Sequence, residues 1–353
     1  MTVLTAFLGA VGLVVVAVFV FAATSCAETI AWWTERGRNR AAPGSHIVIP
    51  QPSPEPIADQ YIIYLSGVGR NSGEEVPAKE AQFLDMVENG VPGSVIVRDI
   101  FPYSPSSTPL TEYRVLNGLW TGIPRLARRN RRFMTLYHIV YFRNLLQVCM
   151  SRDRDYGPPY AYGLAKEMIK GLLRHGYRPE HPRPVTILCI SGGGQLSQAA
   201  APYLREWLGS KVRVISVGSV LADDPGTQDL EEIVHLSGSR DLTQYAGRLL
   251  GYTGWPVFPG SAWNRFVAAG RFRSIPIGPM KHMGLGDYFS RSARLPDGTT
   301  HVQRTAEVVI GLIASQPGRI GSAQRQASPA AATGAKRDLP VPVGTSVSAS
   351  GRA

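Results

Sequence analysis

The sequence predicts an α/β fold, in which a mostly parallel β-sheet is covered by helices on both faces. Apolar, β-branched runs alternate with helical stretches, and most of the runs are continuously apolar, as strands buried on both faces require. The six strand-like runs are YIIYLSGV (61–68), SVIVRDI (94–100), VTILCIS (185–191), VRVISVGSV (212–220), EIVHLSG (232–238) and FRSIPIG (272–278). The helical stretches lie near residues 77–89, 133–150, 160–175, 194–208, 241–250 and 303–315.

Bulk composition limits the class of protein. The 353 residues are 44% hydrophobic and 18% charged, which indicates a globular core with appendages. The net charge of +11 is compatible with binding to a nucleic acid or to an anionic membrane surface. No zinc-finger spacing or aromatic-basic module occurs, so we expect a membrane and no nucleic-acid partner. The three cysteines, Cys26, Cys149 and Cys189, are odd in number and far apart, which excludes a disulfide framework.

The N-terminus carries a candidate membrane anchor. Residues 3–23 form an uncharged, almost wholly apolar run of 21 residues, and as a helix it would cover about 30 Å, the thickness of the hydrocarbon core. We therefore predict a transmembrane helix over 1–25. Arginines follow it at positions 36, 38 and 40, so the positive-inside rule favours a single-pass protein of the cell membrane with a cytoplasmic body. A lipoprotein cleavage site at ATSC (23–26) is the alternative, but no basic region precedes it.

The rest of the chain divides into a linker, a body and a tail. Proline-bounded residues within 26–56 predict a juxtamembrane linker, and the alternating pattern predicts one domain over 57–316. An insert at about 104–160 is far longer than a crossover helix needs. Residues 317–353 are rich in Ala, Ser, Gly and Pro and lack aromatics, which predicts a disordered tail.

A serine and three glycines end the third strand run. In VTILCISGGGQ (185–195), Ser191 closes the strand and Gly192–Gly194 lead into a helix. Such a tight turn strains the serine backbone, lifts its Oγ above the sheet and directs the next N–H toward a developing oxyanion. The stretch CISGGG resembles the nucleophile elbow G-x-S-x-G of the α/β-hydrolase superfamily, with Cys189 in place of the first glycine. A phosphate-binding glycine loop or a plain tight turn is the alternative, although no Walker or dinucleotide motif is present.

The resemblance implies a catalytic triad in the chain order serine, acid, histidine. Asp241 follows EIVHLSG in a Gly-Ser loop, and His282 follows FRSIPIG in the segment PMKHMGLGDYF. Ser191 would be the nucleophile, His282 the general base, and Asp241 the residue that orients the imidazole. The three residues come after three separate strand runs, whose carboxyl ends meet at one edge of a parallel sheet.

Other residues compete for the acid and base roles. Asp241 is also suited to cap a following helix, and Asp223 and Asp224 are reserve acids after an earlier strand. His282 could be a solvated loop residue. The other candidate histidines are less well placed: His235 lies inside a strand and His301 starts the last helix, while the serine is preceded by His138, His175 and His181.

An early glycine turn supplies a candidate for the second oxyanion donor. The superfamily often has H-G-x-G after an apolar strand, and here Ser66 replaces the histidine before Gly67, Val68 and Gly69. By resemblance, the backbone N–H groups of Gly192 and Val68 would form the oxyanion hole. A flexible glycine turn is the alternative interpretation.

The insert contains a basic run followed by an apolar one. RLARRNRRF (125–133) and FMTLYHIVYFRNLLQVCM (133–150) could form a cap over the serine that rests on anionic lipid headgroups. A solvated charged helix joined to a core helix explains the same pattern, so the choice stays open.

The resemblance as a whole implies a membrane-anchored serine hydrolase that cleaves a carboxylester or lipid-like ester without a cofactor. The sequence contains no H-x-x-x-H or C-x-x-C spacing that would indicate a metal site. A non-catalytic, membrane-tethered scaffold of the same fold is the alternative, because Cys189 and the replaced histidine both depart from the superfamily pattern.

Overall fold

A computed structural model of the chain describes residues 57–70, 76–104, 138–247 and 252–315, together with residues 5, 7–13, 16 and 20. The predicted linker at 26–56, the basic run at 125–133 and the tail at 317–353 lie outside these residues. So does most of the predicted anchor, whose described residues are helical. Among the described residues, none of the helices combines the length and the apolar character that a membrane span needs.

All six predicted strand runs form strands of one sheet. The strands are β1 Gln60–Leu65, β2 Ser94–Val97, β3 Val185–Ile190, β4 Val212–Val217, β5 Leu230–Gly238 and β6 Phe272–Gly278. They lie in the order β2-β1-β3-β4-β5-β6, and every neighbouring pair is parallel. The predicted α/β fold with a parallel sheet is therefore confirmed.

The strand order contains one topological switch. The chain passes from β1 outward to β2 and then returns to the other side of β1 to form β3. The register pairs Leu65 with Cys189, so β1 and β3 end side by side. The loops that follow these two strands lead to helices on opposite faces of the sheet, and the carboxyl edge at such a switch is the usual ligand position in open α/β sheets.

Within the described residues, five complete helices lie between strands and a sixth follows β6. They are α1 Ala78–Gly90, α2 His138–Met150, α3 Gly157–Arg174, α4 Gly193–Leu208, α5 Ala262–Ala268 and α6 His301–Ala314. Helix α5 was not predicted; it has seven residues and begins at Ser261, whose side chain accepts a hydrogen bond from the Asn264 backbone N–H. The helix predicted near 241–250 begins instead as the 3-10 helix Thr243–Tyr245, and residues 248–251 lie outside the described part.

Both faces of the sheet are buried along its central strands, β1, β3 and β4. Along β1, Tyr61, Ile63 and Leu65 pack in one core cluster, and the alternate residues Ile62 and Tyr64 pack in another. The first cluster includes apolar residues of α2, α3, α4 and α5, and the second includes those of α1 and α6. This two-sided burial explains why the strands are continuously apolar in the sequence.

Candidate active site

Ser191 occupies a sharp turn between β3 and α4. Its φ of +54° is the only positive φ of a non-glycine residue in the described part of the chain. Such backbone is strained, at a cost of about 1–3 kcal/mol, and persists where surrounding contacts enforce it. Here the Ser191 carbonyl accepts hydrogen bonds from the backbone N–H of Gly194 at 3.2 Å and of Val220 at 2.9 Å.

The glycines after Ser191 permit close packing on both sides of the turn. A Cβ on Gly193 would lie 2.7 Å from the carbonyl oxygen of Leu65 at the end of β1. A Cβ on Gly194 would lie 2.5 Å from the Cβ of Ser219, in the loop after β4. The start of α4 therefore packs closely between β1 and the loop after β4, and no side chain fits at position 193 or 194.

We expect Gly193→Ala to lower the free energy of unfolding by about 1–3 kcal/mol, because the new methyl group meets strand backbone that cannot move aside. Gly311→Ala is the matched control, since Gly311 is an exposed residue of α6 with no atom within 4 Å of a new Cβ. That control should stabilise the protein by about 0.5–1 kcal/mol through helix propensity. Thermal unfolding followed by circular dichroism measures both, and equal effects would contradict the packing described.

The structure brings Ser191, His282 and Asp241 into one hydrogen-bonded chain. Ser191 Oγ lies 2.9 Å from His282 Nε2, and His282 Nδ1 lies 3.0 Å from Asp241 Oδ2. A carboxylate can only accept, so Nδ1 carries the proton and Nε2 accepts the serine hydroxyl hydrogen. The residues follow β3, β6 and β5, whose carboxyl ends share one edge of the sheet.

The Asp241 carboxylate is buried and fully hydrogen-bonded. Its Oδ1 accepts the backbone N–H of Thr243 at 2.9 Å, and its Oδ2 accepts the hydroxyl of Tyr288 at 3.0 Å as well as the imidazole. Burial alone would raise the pKa of the carboxyl, but the hydrogen bond and charge of His282, together with the Tyr288 hydroxyl, hold the pKa below its usual value. Asp241 therefore stays ionised beside the imidazole.

Tyr288 was not predicted as a site residue. Its hydroxyl accepts the Gly238 N–H at 2.8 Å and donates to Asp241 Oδ2. Burial and then the neighbouring carboxylate raise the pKa of Tyr288 above its usual value, so the hydroxyl keeps the proton that it donates. Tyr288 thereby ties the acid to the end of β5.

The competing acids contact other groups. Asp224 Oδ2 accepts the Gln195 side-chain amide at 2.7 Å and its Oδ1 accepts the Gly226 N–H at 2.8 Å, while Asp223 accepts the Trp263 N–H at 2.8 Å. Burial raises the pKa of Asp224 to about 6. The chain of hydrogen bonds to the imidazole thus passes through Asp241 and not through these reserve residues.

Two competing histidines are engaged elsewhere. His235 Nδ1 lies 2.9 Å from Ser216 Oγ and its Nε2 lies 3.0 Å from Gln244 Oε1. His301 Nδ1 faces the carbonyl oxygens of Gly286 and Asp287, each at 3.2 Å. Both rings support loops near the site without contacting Ser191.

The loop after β1 lies directly against Ser191. A Cβ on Gly67 would be 3.4 Å from Ser191 Cβ, and one on Gly192 would be 3.0 Å from Val68 Cγ1. The backbone N–H groups of Val68 and Gly192 donate no hydrogen bond to any residue that the structure describes. Two amide donors that have no partner among the described residues therefore lie beside the serine, where an oxyanion hole would need them.

Cys189, which replaces a glycine of the elbow motif, is buried among small serine side chains. The hydroxyl of Ser219 donates to the Cys189 carbonyl at 3.2 Å and lies 3.6 Å from its Sγ. Ser216 of β4 is the residue paired with Cys189 in the β3–β4 register. Burial raises the pKa of the thiol to about 12, so it stays neutral and is a poor nucleophile. The small neighbours accommodate the cysteine without disturbing the turn.

The described part of the insert contacts the Ser191 turn. Val140 and Val148 of α2 belong to the core cluster, and Val148 Cγ2 would lie 2.8 Å from a Cβ on Gly192. Helix α2 is thus a core helix that packs over this turn. The basic run that precedes it lies outside the described residues.

No protein-family model matches this sequence, and a search of curated proteins finds no match. Within the described ranges, no group of three or more His, Cys, Asp or Glu side chains is placed to hold a metal ion.

Proposed function

We propose that this chain is a membrane-anchored serine hydrolase of the α/β-hydrolase type that cleaves a hydrophobic ester. The observation that carries the proposal is the hydrogen-bonded series of Ser191, His282 and Asp241 at the carboxyl edge of the sheet. The strained serine turn supports the same chemistry, as do the two neighbouring amides that have no partner among the described residues. The apolar run at 3–23 supports the anchor on sequence grounds alone.

The proposed acylation begins with proton transfer. The Ser191 hydroxyl gives its proton to His282 Nε2 while Oγ bonds to the ester carbonyl carbon, and the carbonyl π electrons move to its oxygen. The N–H groups of Gly192 and Val68 stabilise that oxyanion. As the tetrahedral intermediate collapses, the bond to the alkoxy oxygen breaks and His282 returns the proton to the departing alcohol.

Deacylation repeats these steps with water. His282 Nε2 takes a proton from the attacking water, whose oxygen bonds to the acyl carbon. Collapse of the second tetrahedral intermediate breaks the bond to Ser191 Oγ, which regains its proton from the imidazole. Asp241 stays ionised throughout and stabilises the imidazolium, in keeping with its lowered pKa.

The surroundings of the triad support an apolar substrate. Leu242, Met283 and Leu285 are 79%, 60% and 86% exposed, and the first two directly follow Asp241 and His282 in the chain. Apolar side chains that are exposed in the loops carrying the proposed acid and base favour an apolar acyl or alcohol group.

The function is tested with p-nitrophenyl acetate, butyrate, octanoate and palmitate and the full-length protein. We expect hydrolysis of all four, with kcat/KM rising from acetate to octanoate because a longer acyl chain buries more apolar surface. Leu285→Ser should reduce the preference for octanoate over acetate, whereas Leu145→Ser, at an exposed position of α2, serves as the matched control. Absence of hydrolysis by the folded protein would favour the non-catalytic scaffold.

A further inference from the structure

The loop Ser66–Arg70 is held by side chains from outside the sheet. The hydroxyl of Tyr103 donates to the Ser66 carbonyl at 2.7 Å. The side-chain amide of Asn144, on helix α2, donates to the Val68 carbonyl at 2.8 Å and to the Arg70 carbonyl at 2.7 Å. Within the loop, the Arg70 N–H donates to the Gly67 carbonyl at 3.3 Å.

These contacts fix the direction of the Val68 N–H. In a trans peptide, the N–H of Val68 points opposite to the Gly67 carbonyl of the same plane. That carbonyl faces the Arg70 N–H, so the Val68 N–H points out of the turn. The preceding peptide plane is held by Tyr103 and the following one by Asn144, so the plane between them has little freedom to rotate.

Asn144 is itself fixed in orientation. The residue is fully buried, and its Oδ1 accepts from Arg143 Nη1 at 3.0 Å, so its amide nitrogen must face the loop. The Arg143 guanidinium also donates to the Tyr103 carbonyl. Two successive residues of α2 therefore bind the loop and the segment that carries Tyr103.

We propose that Asn144 is a positioning residue that aims the Val68 N–H at the oxyanion, so that helix α2 of the insert builds half of the oxyanion hole. This inference rests on the proposed hydrolase function. The contacts of Asn144 also mean that α2 cannot act as a freely opening lid, because displacement of α2 would release the loop that carries Val68.

The test compares Asn144→Ala and Asn144→Asp with Gln198→Ala in the full-length protein. Both Asn144 variants remove the amide donors, and the aspartate keeps the side-chain volume if the alanine variant fails to fold. Gln198→Ala is the matched control, because this buried amide of α4 also donates twice, to the Ala222 carbonyl at 2.9 Å and to Thr227 Oγ1 at 2.7 Å. Active sites are counted by exhaustive fluorophosphonate labelling, and turnover is measured with p-nitrophenyl butyrate.

We expect kcat per labelled site to fall about 10- to 100-fold in the Asn144 variants with KM little changed, since an oxyanion donor acts in the transition state. Binding of an alkyl trifluoromethyl ketone, which forms a tetrahedral adduct on serine, should weaken by the same factor as kcat/KM. Gln198→Ala should lose thermal stability but keep its kcat per site.

Unchanged kcat per site and ketone affinity in the folded Asn144 variants would overturn the positioning role while leaving the hydrolase proposal intact. An equal loss in Gln198→Ala would overturn it too, because the effect would then be general destabilisation. If the folded wild-type protein carried no labelled serine, that result would contradict both the proposed function and this inference.

Discussion

Ser191→Ala should lower kcat/KM for p-nitrophenyl butyrate at least about 10⁴-fold, because the remaining groups would have to activate water without a nucleophile. The variant keeps the Cβ and the strained backbone of the turn, so its thermal stability should stay close to that of the wild type. Steady-state kinetics on protein of matched folded fraction measure the loss.

Ser219→Ala is the matched control for this variant. Ser219 is a buried serine near the elbow, but its hydroxyl donates to the Cys189 carbonyl and not to an imidazole. Its alanine variant retains the Cβ that packs against Gly194 and should keep nearly full activity. Substantial hydrolysis by Ser191→Ala would show that the activity arises elsewhere, and an equal loss in Ser219→Ala would show that the loss is not specific to the Ser191 hydroxyl.

Asp241→Asn should reduce kcat by about 10⁴-fold while leaving the fold intact. The Thr243 N–H donates to Oδ1, so the amide oxygen of an asparagine would stay there and its NH₂ would take the position of Oδ2. That NH₂ would donate to His282 Nδ1, which forces the imidazole proton onto Nε2. The ring could then no longer accept the serine proton.

The reserve acid gives the control for this prediction. Asp224→Asn changes a buried carboxylate that contacts Gln195 and Gly226, so we expect a change in stability with little change in kcat. If Asp224→Asn lost as much activity as Asp241→Asn, the orienting acid would have been assigned to the wrong residue.

The sheet was predictable because its central strands are buried on both faces, which leaves continuous apolar runs such as VTILCIS in the sequence. The relative positions of Ser191, Asp241 and His282 followed from the same pattern, since parallel strands place their carboxyl ends at one edge. Helix α5 escaped prediction because a segment of seven residues is too short to show a helical period. A helix was predicted near 241–250, but the sequence did not indicate that it begins as the 3-10 helix Thr243–Tyr245.

The residues that support the site could not be predicted. Tyr288 and Asp241 are 47 positions apart, and Asn144 and Val68 are 76 apart. Each contact depends on a single polar atom brought in by tertiary folding, and no local spacing or periodicity encodes such a pair. Sequence patterns indicate secondary structure and burial. These contacts depend instead on how the insert and the loop that carries His282 pack against the rest of the protein.

The proposed function depends on Ser191 being an activated nucleophile. The most direct measurement is mass-spectrometric mapping of the adduct after the full-length protein reacts with a fluorophosphonate. We expect one adduct per chain, located on Ser191. A folded protein that carries no adduct, or carries it on another residue, would contradict the assignment of Ser191 as the nucleophile.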